Sequence, residues 1–152
     1  MAVLSRHRSA AKFFLGACLF AGVPAQALEL SGAWVRAMPP GRPMTAAYMT
    51  VHNDGDAAVT VTAVSSPLGE ASLHETRVVD GRSRMDALPT LRLDPGATVE
   101  LTPGGMHIML MGLATTPAKG DRVPLCLETD KGQFCVEAPV QSDAGQTMHH
   151  HH

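Results

Sequence analysis

The chain predicts an all-β domain, a sandwich or barrel of short antiparallel strands. Alternating apolar and polar segments recur about every eight to twelve positions, each closed by a Gly, Pro, Asn or Asp turn signal. Beyond residue 27 no stretch carries the 3.6-residue apolar repeat of a long helix. The 11 prolines and 14 glycines act as punctuation.

Leu28 to Arg36 opens the domain and ends before Pro39-Pro40-Gly41. Ala46 to His52 alternates and stops at Asn53-Asp54-Gly55-Asp56. Val59 to Val64 alternates Val with Thr, which suit a pleated surface, and stops at Ser65-Ser66-Pro67. Ser72 to Val79 meets Asp80-Gly81, a type I′ hairpin signal that returns the chain through Arg82 to Leu88. Leu91 and Leu93 precede Asp94-Pro95-Gly96, Thr98 to Leu101 precedes Pro103-Gly104-Gly105, and Met106 to Gly112 follows. Residues 122–129 and 133–138 make the last pair, around Thr129-Asp130-Lys131-Gly132.

One domain over 28–140 accounts for these strands, and its length suffices for one core. With one Trp, one Tyr and few Phe, that core is expected to be mostly Val, Leu, Ala and Met. Residues 1–27 read as a secretory signal: a basic start at Arg6, Arg8 and Lys12, an apolar run from Phe13 to Val23, and Ala25-Gln26-Ala27 as the cleavage site. The run is too short to span a membrane, so no span is expected in the mature form. Leu15-Gly16-Ala17-Cys18 resembles a lipobox, which would lipidate Cys18. It would leave only Phe13 to Ala17 as apolar region, so cleavage after Ala27 is favoured. Residues 141–152 turn polar and read as a flexible tail ending Met148-His149-His150-His151-His152.

Loss of the signal takes Lys and Arg from 12 to nine against 14 acids, a formal charge of −5. Nucleic acid and anionic membrane surfaces are therefore excluded as natural partners. Cys126 and Cys135 remain in an exported chain, where a disulfide is the natural reading. With Asp130 and Lys131 at the turn centre they face each other directly; a bulge at Gly132 would shift them by one.

His74, Met85, His107 and Met109 are spaced H-x10-M-x21-H-x-M, the last two within Gly-Gly-Met-His-Ile-Met-Leu-Met-Gly-Leu (104–113). Thioether sulfur is a soft donor with no proton to lose, and imidazole suits copper. A Met/His set without thiolate or carboxylate points to Cu(I) rather than zinc, magnesium or calcium. With Asp80-Gly81 as a two-residue turn, Thr76 pairs with Met85, and His74 is Met85's diagonal neighbour on the same face, about 7–8 Å away. His107 and Met109, two apart on one strand, also share a face. A sandwich is expected to bring the two pairs together. Met106 faces away from His107; Met111 shares its face but lies further along and reads as core or support. Met38, Met44 and Met49 read as packing residues, and His52 as structural or exposed.

These spacings, with Leu73-His74-Glu75, resemble the PCuAC family of periplasmic copper chaperones. Ala33-Trp34-Val35-Arg36-Ala37, Pro39-Pro40-Gly41 and Ala47-Tyr48-Met49-Thr50 with Asn53 look like that family's N-terminal strands. The likeness covers roughly 28–140, and His74, Met85, His107 and Met109 match its copper motif. Glu75 stands where the family often has Met, and it points to the other strand face. The resemblance implies a cupredoxin-like Greek-key β-sandwich that holds Cu(I) near its surface in the periplasm. It also implies delivery for CuA assembly in cytochrome c oxidase, with oxidase subunit II or a Sco-type protein as partner. A monomer without enzymatic activity is expected. Met148 and His149 to His152 read either as a purification tag or as a native tail; a native tail would favour Cu(II) through imidazole nitrogen. A copper buffer without a dedicated acceptor is the alternative function. A blue-copper electron carrier is disfavoured because neither Cys126 nor Cys135 has a nearby downstream His.

Overall fold

In a computed structural model residues 27–143 are described. The expected signal up to residue 26, Cys18 within it, and the tail from 144 on, with Met148 and His149 to His152, lie outside the described residues. Alternation of apolar and polar side chains produces ten strands: β1 (Glu29–Arg36), β2 (Met44–His52), β3 (Val59–Ser65), β4 (Glu70–Val79), β5 (Arg82–Ala87), β6 (Leu91–Leu93), β7 (Thr98–Leu101), β8 (Met106–Met111), β9 (Arg122–Thr129) and β10 (Gly132–Gln141).

The strands are hydrogen-bonded in the order β5-β4-β8-β2-β1-β10-β9-β3-β6, with β7 pairing β2 beside β8. Among the described strands only β1 and β10 run parallel, at Val35 with Val140 and Arg36 with Gln141; that short seam joins the two halves of the sheet. The halves close on one core. Val35, Val51, Leu73, Ile108 and Leu110 come from the first half, and Val59, Val61, Leu125, Leu127 and Val140 from the second. The result is a cupredoxin-like Greek-key β-sandwich. Its core is Val, Leu and Ala around Ile108, and Met49 is the one fully buried methionine among the described residues. Val, Leu and Ala fill the core as expected, while methionine contributes only Met49 to its buried residues; most other described methionines lie on the outward face of the first half.

Two turns fix the strands that matter most here. Asp80 and Gly81 both have positive φ, 53° and 73°, as a type I′ turn requires. The β4–β5 register that follows pairs Val79 with Arg82 and Thr76 with Met85, as the hairpin signal predicts. Between β7 and β8, the Gly105 N–H donates to the Thr102 carbonyl at 3.0 Å, and Gly104 has φ 83° after Pro103. That is a type II turn, with glycine where positive φ is needed.

Asn53 is fully buried and ties two loops together. Its amide donates to the carbonyls of Ala57, Leu93 and Asp94 at 2.9, 3.1 and 3.2 Å, and its side-chain oxygen accepts from the Gly55 N–H at 3.0 Å. Cys126 and Cys135 are directly opposed across the β9–β10 hairpin and form a disulfide. Leu125 and Leu127 point into the core, so the bridge lies on the outward face of the second half.

Replacing both Cys126 and Cys135 by Ser should lower unfolding free energy by about 2–3 kcal/mol, the chain-entropy value for so short a loop. Urea denaturation of oxidised wild type against the double variant measures it; an unchanged midpoint would contradict the expectation.

Candidate metal centre

The centre is built by β5, β4 and β8. Leu73 on β4 lies opposite Ile108 on β8, and both side chains enter the core. Period-two alternation therefore turns Ser72, His74 and Thr76 outward on β4, and His107, Met109 and Met111 outward on β8. The register places His74 directly opposite His107, and Ser72 opposite Met109. On the other side of β4, Thr76 faces Met85 and His74 faces Ala87. All four predicted donors thus occupy one face of three adjacent strands, with the two His in the middle and one Met to either side. The imidazole rings stand 6.1 Å apart between centroids, their planes 24° from parallel.

Closure of the sandwich was the expected means of uniting the two pairs. The structure unites them otherwise, by hydrogen-bonding β4 to β8 within one sheet, because the core contact of Leu73 with Ile108 aligns the two strands.

The turn before β8 orients the His107 ring, and a neighbour on β4 the His74 ring. The Gly105 carbonyl accepts from His107 Nδ1–H at 2.9 Å and from the Thr76 backbone N–H at 3.1 Å. With its proton on Nδ1, His107 presents a bare Nε2 lone pair. His74 Nε2 is 2.9 Å from the Ser72 hydroxyl. It offers Nδ1 directly, or Nε2 once that hydroxyl turns away.

Burial divides the donors. His107 is only 5% exposed and Met85 is 52% exposed. Met109 packs against a small outer cluster of Trp34, Ala46 and Tyr48. The Trp34 and Tyr48 rings lie 4.5 Å apart and tilted by 35°, with the Arg36 guanidinium 5.3 Å from the Tyr48 centroid. Burial pushes the Tyr48 phenol above its ordinary pKa; Arg36 opposes that shift and Asp143 adds to it. Among the described residues no three His, Cys, Asp or Glu cluster as a zinc or calcium site would need. The side chains that share this face are two imidazoles and two thioethers, a set that fits a soft monovalent cation and not Zn²⁺ or Ca²⁺.

Ser72, and the part played by the carbonyl of the turn residue Gly105, escaped notice in the sequence. Each lies two residues before its histidine, on the same face or at its entry, so alternation could have flagged both. Glu75 lies on the opposite face, as read, and accepts from Arg77 Nε at 2.6 Å. His52 is remote, its Nδ1 2.9 Å from Thr98 Oγ1.

A family model described as "LpqE-like: Putative lipoprotein LpqE-like" matches residues 28–140. "Putative lipoprotein Lxx21020" of Leifsonia xyli subsp. xyli (strain CTCB07) is 38% identical over 127 residues, covering 82% of this chain and 75% of that protein. The solution structure of apo-DR1885 from Deinococcus radiodurans is 30% identical with a TM-score of 0.61, covering 94% of this chain and 97% of that one. Its CuI-DR1885 counterpart is 31% identical with a TM-score of 0.60, covering 80% of each. The copper-bound PCuAC domain from PmoF2 shares the fold, at 22% identity and TM-score 0.64 over 77% of this chain and 94% of that domain. The PmoF2 neighbour is thus a PCuAC domain, the family that the motif resembles, while the matching family model carries the LpqE-like description.

In metal-free protein above neutral pH, ¹⁵N spectra should show His107 as its Nδ1–H tautomer with Nε2 unprotonated. The reverse tautomer would contradict the bond to the Gly105 carbonyl.

Proposed function

The chain belongs to the LpqE-like family, and on that premise we propose that it is an exported metallochaperone carrying Cu(I) on His74, Met85, His107 and Met109. The observation that carries this reading is the direct pairing of His74 with His107, with Met85 and Met109 flanking them on the same face. Solved relatives add support: one is titled copper-bound and another CuI-bound.

The donor set suits cargo rather than a resident catalyst. Thioethers hold Cu(I) without proton competition and form no disulfides in an oxidising compartment. Imidazoles add stronger donors in their neutral form. Release proceeds by ligand exchange, an acceptor donor replacing one side chain at a time. The acceptor under this proposal is the CuA site of cytochrome c oxidase subunit II, or a Sco-type carrier that serves it. A buffer without a dedicated acceptor would use the same donors and differ only in what receives the metal. The proposal places the protein in the periplasm; the names of its relatives favour export and return weight to lipidation at Cys18, which would tether the domain to a membrane surface.

X-ray absorption of the Cu(I) form tests the centre, with two sulfur and two nitrogen neighbours expected. His107→Ala or Met109→Ala should weaken Cu(I) binding by orders of magnitude while the domain stays folded. Unchanged affinity in either variant would remove that residue from the centre.

The tail Met148 and His149 to His152 is proposed as a separate Cu(II) collector. Deleting 142–152 should leave Cu(I) binding intact and lower Cu(II) stoichiometry; an unaltered Cu(II) count would end that idea.

A further inference from the structure

The outward face of the first half carries more sulfur than the four-donor centre uses. Met44 on β2 lies directly opposite Met111 on β8, two residue pairs beyond the Ala46–Met109 pair along those strands. Both side chains share the face of His107 and Met109, because all four sit at even spacing from one another in register. Directly opposed residues on an antiparallel pair have Cβ atoms about 4.5–5.5 Å apart, within reach of two flexible thioethers bridging one ion.

Packing does not account for this pair. Met49 is buried in the main core, Met106 packs on it, and Met109 packs on Trp34, Ala46 and Tyr48. Met44 and Met111 belong to neither cluster, and Met44 is 47% exposed. Glu70 pairs with Met111 from the β4 side, bringing a carboxylate to the same end of the face. A thioether pair with Met44 exposed and Met111 half-buried, beside an anionic group, disfavours an apolar partner and favours a soft cation.

We propose that Met44 and Met111, with Met109 as the third sulfur, form a second station for a soft monovalent cation beside the His/Met centre. The ion held there is Cu(I) or its analogue Ag(I). Its donors are thioethers alone, so it binds more weakly than a set containing two imidazoles. Met109 is common to both stations, and metal passes from the sulfur pair to the histidines by exchange around that side chain. No electron or proton moves in the transfer. The inference goes beyond the four-donor centre, and its test separates the two.

The test is silver titration of the protein labelled with ¹³C at the methionine methyls, which resolves each side chain and keeps the Met148 signal apart. The first equivalent should shift Met85 and Met109; the next should shift Met44 and Met111. In Met44→Leu with Met111→Leu, substitutions that conserve volume, the first response should persist and the second vanish. If Met44 and Met111 stay at their metal-free positions through a several-fold excess while Met85 and Met109 move, the second station is overturned and the centre stands. If none of the four moves, both readings fall.

Discussion

The register of β4 against β8 is the constraint on which the rest depends. Side chains on a strand alternate between faces, so a one-residue slip would send His74 or His107 into the core and Leu73 or Ile108 into water. Burying Leu73 and Ile108 is worth about 1.5–3 kcal/mol each by transfer from water. The core therefore sets which face the histidines occupy and which residues stand opposite. The Gly105 carbonyl reinforces the alignment, since it bonds the backbone of β4 and the imidazole of β8 at once. Ring orientation and strand pairing are thus one event.

Much of this was legible from the sequence, and the limit has a physical cause. Asp80-Gly81 is local, so the β4–β5 register and the shared face of His74 and Met85 could be derived before any fold was known. The spacing of His107 and Met109 likewise fixed their common face. Alternation names faces but not neighbours, however, and the contact of β4 with β8 is long-range. Hence sandwich closure was expected where strand pairing is found. The methionines misled for a related reason: an apolar residue on an alternating strand is normally core, yet only Met49 is fully buried among the described residues. Ser72 drew no notice because serine at an outward position has no signal of its own until its neighbour is known to be a donor.

Stability and chemistry are divided between the two halves of the sandwich. The disulfide staples β9 to β10 on the outward face of one half, and Asn53 secures the loops after β2 and β6. The other half carries the donors on its outward face. It has no covalent brace there, and Met109 leans on the aromatic pair Trp34 and Tyr48. A donor face that is not part of the main core can rearrange its side chains without opening that core, which is what exchange of a bound ion demands.

Under the proposed Cu(I) reading, the uneven burial of these four side chains would give ligand exchange a direction. His107 is enclosed and its ring is held through Nδ1, so it has little freedom to leave a bound ion. Met109 is packed on one side. Met85 stands on an edge strand, half in water, with three flexible torsions and nothing from either hydrophobic cluster against it. On that proposal an incoming donor would displace Met85 at least cost. His74 follows, because the Ser72 hydroxyl already stands within hydrogen-bond range to satisfy its Nε2 after departure. On the same proposal His107 would be the last to let go. The order arises from where each residue falls on the sheet, not from the intrinsic strength of its donor atom, since a buried thioether would hold longer than an exposed one of equal chemistry.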